Sequence, residues 1–187
     1  MKTNREAFCV ITGGPGVGKT TLINELNGYG FQTVQEDARK IIKAQIETDS
    51  EGLPWKNKEL YAKLMLEASL RSYDEVNTKT FSNFIFFDRG ILDTICYMKM
   101  EQIPVSDEIK EMVRQYPYNK NVFILPPWQE IYETDNERKQ SWEEAECTFK
   151  KMKETYLEFG YNVIEVPKAS VKERTEFIIQ NIDKFIG

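Results

Sequence analysis

No histidine occurs anywhere in the 187 residues. Mechanisms that need an imidazole, as general base, as partner to a nucleophilic serine or as a metal ligand, are thereby excluded. Proton handling falls to carboxylates, lysine or water. Cysteine is scarce as well. Cys9, Cys96 and Cys147 are odd in number, far apart and without a C-x-x-C pair, so neither a zinc site nor a redox motif of the usual spacing is present, and a reducing, cytoplasmic setting is expected. No run approaches about 18 uncharged apolar residues, and the apolar stretch in the opening MKTNREAFCVIT is too short for a secretory core, so no membrane insertion is expected. Positive charge is in deficit, with 25 Lys and Arg against 30 Asp and Glu, a net charge of -5 and a pI near 5.1. That balance argues against a nucleic-acid partner, because duplex binding rests on many cations that neutralise phosphates. A small anionic ligand needs only one local positive site.

What the chain does hold is an ordinary globular composition, 41% hydrophobic and 29% charged, in a length that suits one domain over residues 1–187. Five short apolar runs, 7–12, 31–35, 84–87, 122–125 and 161–166, read as strands separated by helical patterns. Uninterrupted runs such as NFIFFD suit strands covered on both faces. Strands alternating with helices then imply a parallel sheet with right-handed crossovers, a three-layer α/β fold. Several helix boundaries carry their own signals. Ser141 with Glu144 and Ser170 with Glu173 are capping boxes. The first opens an apolar series of Trp142, Ala145, Phe149, Met152, Tyr156 and Phe159 at three-and-four spacing, stopped by Gly160. Asp37 reads as the cap of a helix carrying Ile41, Ile42 and Ile46, and Asn57 as the cap of a longer one. The polar stretches 47–57 and 130–140 read as loops over a site.

Residues 13–20 are GGPGVGKT, which satisfies G-x-x-x-x-G-K-[ST] with Gly13, Gly18, Lys19 and Thr20 in the required places. Glycines let the backbone turn tightly so that successive N–H groups converge on phosphate oxygens, and the next helix presents its positive end to the same charge. The expected phosphate-binding set is Gly13, Gly14, Pro15, Gly16, Val17, Gly18, Lys19, Thr20 and Thr21. Lys19 reaches the β- and γ-phosphates and the Thr20 hydroxyl is a ligand for Mg²⁺, so ATP is expected as its magnesium complex. The context agrees, with a strand (AFCVIT) before the loop and an amphipathic helix (TLINEL) after it, ending near Gly28.

The strand FIFF runs into Asp88-Arg89-Gly90. Asp88, at the carboxyl end of a buried strand, stands where ligands bind in open α/β sheets and is the second candidate for magnesium, held through water; the alternative is a helix cap before ILDTICY. No Glu follows Asp88, which disfavours hydrolysis as the primary chemistry. A guanine-reading N-K-x-D element is also missing, since Asn119-Lys120 continues into Asn121-Val122.

The chain resembles small P-loop proteins of the AAA-type ATPase domain group and is similar to the nicotinamide riboside kinase domain of bacterial NAD regulators. The resemblance runs over nearly the whole length, through ITGGPGVGKTTL, QEDARKII, FFDRGILDTICY, LPPWQEIYETDNERKQSWEEAE and YNVIEVP. It implies a five-stranded sheet of order 2-3-1-4-5 and a lid, at about 130–140, over the phosphates. By the same resemblance Glu36, at the end of the second strand, is the carboxylate that takes a proton from an acceptor hydroxyl, Arg138 is a lid arginine acting on the departing phosphoryl group, and the PKAS segment after the last strand packs the base.

Lys19, Glu36, Asp88 and Arg138 thus form the candidate catalytic set, with Glu36, Arg39 and Arg89 as candidate acceptor contacts and Arg71, like Arg39, as a residue that could line the acceptor pocket. Each has a plainer reading: Glu36 as a solvated strand end, Arg39 and Arg71 as surface ion pairs, Arg89 as a partner for a nearby carboxylate, Arg138 as one of a solvated charge cluster. Asp93, one turn into its helix, suits the helix amino terminus, and Trp55 reads as a ring-stacking residue or a plug at the core edge. The activity expected is transfer of the γ-phosphoryl group of Mg-ATP to a hydroxyl of a small metabolite, nucleoside or riboside-like. The alternatives are an ATPase or nucleotide-dependent sensor acting on a protein or lipid partner, and a nucleic-acid end kinase, which the acidic balance counts against.

Overall fold

The described residues of the computed structural model, 4–79, 83–131 and 141–183, contain five strands: β1 (Phe8–Gly13), β2 (Gln32–Val34), β3 (Ile85–Asp88), β4 (Asn121–Leu125) and β5 (Asn162–Glu165). All pairings are parallel and the sheet order is β2-β3-β1-β4-β5, as the resemblance implies. Burial follows position. The central strands β1 and β3 are buried at every residue and β4 at all but Asn121, whereas the edge strands β2 and β5 keep exposed residues. Apolar runs without alternation are what a strand covered on both faces requires.

A parallel pair cannot close through a tight turn, so helices fill the crossovers. After a single turn, α1 (Asn4–Ala7), come α2 (Lys19–Gly28), α3 (Ala38–Glu47), α4 (Lys58–Asn77), α5 (Ile91–Met100), α6 (Asp107–Arg114), α7 (Trp142–Glu158) and α8 (Val171–Asp183). One core joins β-strand residues to Leu66 and Tyr73 of α4, Ile91 and Ile95 of α5 and Tyr156 of α7. A second joins Leu22, Ile23 and Leu26 of α2 to Ile178 and Ile182 of α8. These are the outer layers of the sandwich. No helix among the described residues is long and apolar enough to cross a membrane.

The capping signals have direct counterparts. Glu144 N donates to Ser141 Oγ at 3.2 Å while Ser141 N donates to the Glu144 carboxylate at 2.6 Å. Ser170 and Glu173 repeat the exchange at 3.3 and 3.0 Å. Leu60 N donates to Asn57 Oδ1 at 3.0 Å. Asp37 departs from expectation. It precedes α3 but makes no side-chain cap bond, because its backbone is already helical (φ -86, ψ -20) rather than extended. Its carboxylate instead accepts from Ser72 Oγ of α4 at 2.7 Å. Nor does α3 bury its isoleucines; Ile46 is 57% exposed. Helix α6 is not among the helices expected, and only Val113 on it is buried.

Beneath the β2 and β3 ends lies an aromatic group. Tyr73 of α4 meets the Phe8 and Tyr118 rings edge-on at 5.1 and 5.3 Å, and Tyr118 meets Phe87 at 5.2 Å. Edge-to-face pairs of this kind contribute about 0.5–1.5 kcal/mol each beyond burial. They give the site above them a stiff floor.

Candidate active site

Strand β1 delivers the chain to Gly13 and α2 begins at Lys19. At Gly13 φ is +148 and a Cβ would sit 2.8 Å from the Leu125 carbonyl oxygen of β4, so no larger residue fits. Gly18, at φ +83, is the N-cap of α2 and offers no side-chain acceptor to the first turn. The first-turn N–H groups are left for a ligand, which is the arrangement an anion needs. Gly14, Pro15, Gly16 and Val17 span the loop, with Val17 buried and Pro15 exposed; Thr20 and Thr21 follow on α2 with exposed side chains.

Lys19 is 7% exposed. Its Nζ donates to the carbonyls of Gly13 at 2.9 Å and Gly14 at 2.8 Å, bridging the loop it serves. Burial, and then the charge of Arg89, push its ammonium down to about 7, while Glu36, Asp88 and Asp93 oppose the shift. A binding prediction follows. A triphosphate over the loop favours the charged ammonium, so at pH 7.5 binding of the magnesium nucleotide should take up a large fraction of one proton, declining toward zero near pH 6 where Lys19 is already protonated. Calorimetry in buffers of different ionisation enthalpy reads that number, and no uptake at pH 7.5 would show that Lys19 stays charged in the free protein.

The ends of β2 and β3 bring the acidic half of the site. Arg89 follows β3 in the left-handed region, at φ +73, a conformation that costs a side-chain-bearing residue about 1–2 kcal/mol. Three bonds hold it: its backbone N donates to the Ile11 carbonyl at 2.9 Å, Nε donates to Glu36 at 2.6 Å and Nη1 to Asp93 at 3.1 Å. Burial raises the Glu36 carboxyl, but Arg89, Lys19 and the Arg89 hydrogen bond outweigh it and hold the group below its ordinary range. Glu36 is therefore an ionised carboxylate.

Asp88 differs. It is 5% exposed and its Oδ1 has no hydrogen-bond partner among the described residues. Burial first, then the charges of Glu36 and Asp93, raise its carboxyl above the ordinary value against Lys19 and Arg89. It does not cap α5, where Gly90 is the N-cap and Asp93 accepts from Gly90 N at 3.0 Å. A buried carboxylate oxygen without a donor among the described residues, at the end of the strand paired with β1, fits a hard cation that takes oxygen ligands and keeps its own waters.

A cleft opens beside this cluster, lined by Val34 to Ala38, by Met65, Ser69 and Ser72 of α4, by Phe87 to Gly90, and by Asp93, Thr94 and Tyr118. Glu36, Asp88 and Arg89 thus share one wall system with Asp37. Arg39 is exposed and does not line the cleft, although its charge still lowers Glu36. Arg71 is exposed on α4 and also lies outside it. No residue of 47–57 lines the cleft, and Trp55 is 65% exposed. The PKAS segment follows β5, with Pro167 and Lys168 exposed. Arg138 and residues 132–140 of the expected lid lie outside the described residues.

Sequence reasoning gave Asp93 a helix-terminus role, and it has more. Its carboxylate accepts from Thr12 Oγ1 at 2.5 Å and Tyr156 Oη at 2.6 Å as well as from Gly90 and Arg89. Asp93 is the hub that orients Arg89. Periodicity marks Tyr156 only as a core residue of its helix and nothing local marks Thr12; neither pattern points to Asp93, which each reaches across a large part of the chain.

The family described as AAA domain matches residues 8–174. Comparison with the curated proteins gives no match. The fold recurs in solved structures. The NadR protein in complex with NAD and AMP-PNP is 21% identical, with a TM-score of 0.66 over 96% of this chain and 49% of that one. Deoxyadenosine kinase from M. mycoides, with products dcmp and a flexible dcdp bound, is 19% identical, with a TM-score of 0.61 over 95% of this chain and 99% of that one. Thymidylate kinase from Candida albicans is 16% identical, with a TM-score of 0.65 over 96% and 92%. This chain spans about half the length of the NadR protein. At these identities the likeness is one of fold.

Proposed function

The chain belongs to the AAA domain family, and from that premise we propose that it is a small-molecule kinase, moving the γ-phosphoryl group of Mg-ATP to a hydroxyl of a neutral or cationic metabolite of the nucleoside or riboside kind. The observation that carries the proposal is the strand register that joins the two halves of the site: Asp88 pairs with Ile11 on β1, the strand that leads into the phosphate loop at Gly13, and Arg89 N donates to the Ile11 carbonyl at 2.9 Å. A phosphate donor in the loop and a hydroxyl in the cleft would therefore meet.

In this reading Lys19 leaves the Gly13 and Gly14 carbonyls for the β- and γ-phosphates. Thr20 and Asp88 would hold magnesium, which supplies charge neutralisation on the phosphate oxygens. Glu36 orients the acceptor hydroxyl and takes its proton as the new oxygen–phosphorus bond forms; the bond from the γ-phosphorus to the bridging oxygen breaks and ADP leaves with that electron pair. Arg89, fixed by Asp93, donates to the acceptor or to the transferring group. As it turns toward that charge it releases part of its hold on Glu36, whose basicity rises when a base is needed. The role proposed for Arg138, which lies outside the described residues, is to neutralise charge on the departing phosphoryl group, and 167–170 would pack the base. A reducing cytoplasm remains the proposed setting; Cys9 and Cys96 are buried free thiols and Cys147 is an exposed one.

The charge of the cleft wall bears on which acceptor it can hold. Glu36, Asp37, Asp88 and Asp93 line the cleft together with the Arg89 guanidinium, which pairs with Glu36 and Asp93, while Asp37 is paired with Lys40 at 3.2 Å. A phosphate- or carboxylate-bearing acceptor would meet net repulsion, whereas a sugar hydroxyl finds acceptors in the carboxylates and a ring finds Met65, Phe87 and Tyr118. The test is a panel of nucleosides, ribosides, nucleotides and acidic alcohols with ATP, Mg²⁺ and protein, products detected by mass. Phosphorylated neutral or cationic members with untouched anionic ones are expected. Slow acceptor-independent hydrolysis alone would favour the sensor instead.

A further inference from the structure

Arg174 stands apart from the cleft, on the first turn of α8, and is 7% exposed. Its Nη1 donates to the Val17 carbonyl of the phosphate loop at 3.3 Å. A Cβ on Gly18 would sit 3.0 Å from the same nitrogen, so the guanidinium packs directly on the Val17–Gly18 peptide. Its Cζ lies 5.9 Å from the centre of the Trp128 ring, between β4 and the turn at Gln129–Ile131. Nε is buried without a hydrogen-bond partner among the described residues. Burial lowers its pKa from the ordinary value, and among the described residues no carboxylate is paired with it.

A largely buried cation held by a carbonyl and an aromatic ring, with no counter-charge paired to it among the described residues, costs stability. A ligand bearing several negative charges next to Gly18 would supply what is missing. The peptide geometry adds a second effect. The described peptide bonds are all trans, and in a trans peptide C=O and N–H point opposite ways. Holding the Val17 carbonyl toward Arg174 therefore sends the Gly18 N–H away from it, and Gly18 is the N-cap whose amide a phosphate would meet.

We propose that Arg174 is a positioning residue of the nucleotide site: clamped by the Trp128 ring, it pins the Val17–Gly18 peptide so that the Gly18 amide faces the phosphates, and its own charge finds compensation only when a polyphosphate fills the loop. This rests on the nucleotide-binding reading above. It predicts opposite signs for two measurements on one variant, which a merely structural arginine would not produce.

Arg174→Met keeps length and apolar bulk but removes charge and donors. Its ligand-free Tm should equal or exceed that of the wild type, while its Kd for Mg-ATP and Mg-ADP rises at least tenfold and the shift shrinks for AMP, which brings fewer charges. Arg174→Lys, which keeps the charge without the planar fork, should recover only part of the affinity. Unchanged Kd for Mg-ATP in Arg174→Met, a lowered ligand-free Tm, or an equal loss for ATP, AMP and adenosine would each overturn the assignment. Wild-type protein that binds no triphosphate would instead defeat the nucleotide-binding reading itself, and this inference with it.

Discussion

Lys19→Ala abolishes measurable phosphoryl transfer, a fall of roughly 10³ or more, and weakens binding of the magnesium triphosphate. The magnitude rests on what the residue faces. One preorganised donor aimed at developing charge contributes on the order of 10²–10³ in rate, and Lys19 adds a full charge in a site where it is 7% exposed. The fold should tolerate the loss. Among the described residues Nζ bonds the carbonyls of Gly13 and Gly14, and the apolar contacts of α2 belong to Leu22, Ile23 and Leu26. Removing an ammonium that burial already pushes down to about 7 also relieves a desolvation cost. A variant with wild-type Tm and no turnover is thus expected. Turnover near that of the wild type, with the acceptor found by the panel, would remove the phosphate-loop assignment altogether.

The sheet was legible because its signals are local. Uninterrupted apolar runs at β1, β3 and β4 reflect burial on two faces, and turn or capping residues bracket the helices between them. Asn57, Ser141 and Ser170 act where their positions suggest, because in each the backbone enters the helix from an extended conformation or the partner glutamate is three residues on. Asp37 shows the limit of that reasoning. An aspartate before a helix has two places to send its carboxylate, and Ser72, distant in sequence, takes it. Whether Ile46 is buried depends on a neighbour that periodicity cannot supply, and in the structure it is exposed.

The same division runs through the site. The phosphate loop is contiguous and its chemistry fixes its composition, so it can be read at sight. Glu36 and Asp88 are found by their position at strand ends, which the sheet order brings side by side: Val34 pairs with Phe87 and Ile11 with Asp88. The left-handed backbone of Arg89 and the bonds that converge on Asp93 leave no local trace. Thr12 and Tyr156 lie 81 and 63 residues from Asp93, and only packing joins them. Arg174 is similarly hidden, a charged residue at a polar helix start that happens to meet the loop from behind another element.

Glu36→Gln lowers acceptor phosphorylation by roughly 10² to 10⁴ with little change in nucleotide affinity, the range for loss of a positioned base. The substitution keeps the shape of the side chain and removes its charge and basicity. In the free protein Glu36 accepts from Arg89 Nε at 2.6 Å, and a glutamine oxygen can still accept that bond, more weakly. Arg89 also keeps Asp93 at 3.1 Å and its backbone bond to Ile11, so its placement should survive. The loss should then fall on kcat with the verified acceptor, while the Kd for Mg-ATP and the Tm stay close to those of the wild type. Asp37→Asn provides the contrast. Asp37 also lines the cleft, but its carboxylate is engaged by Ser72 at 2.7 Å and Lys40 at 3.2 Å, which suits a strut between α3 and α4. Its expected effect is a change in KM of less than about tenfold, with kcat nearly intact, as for loss of uniform binding. If Asp37→Asn lost kcat and Glu36→Gln did not, the proton acceptor would be the residue that now serves as the strut. If neither lost it, hydroxyl activation by a carboxylate at the end of β2 would be ruled out.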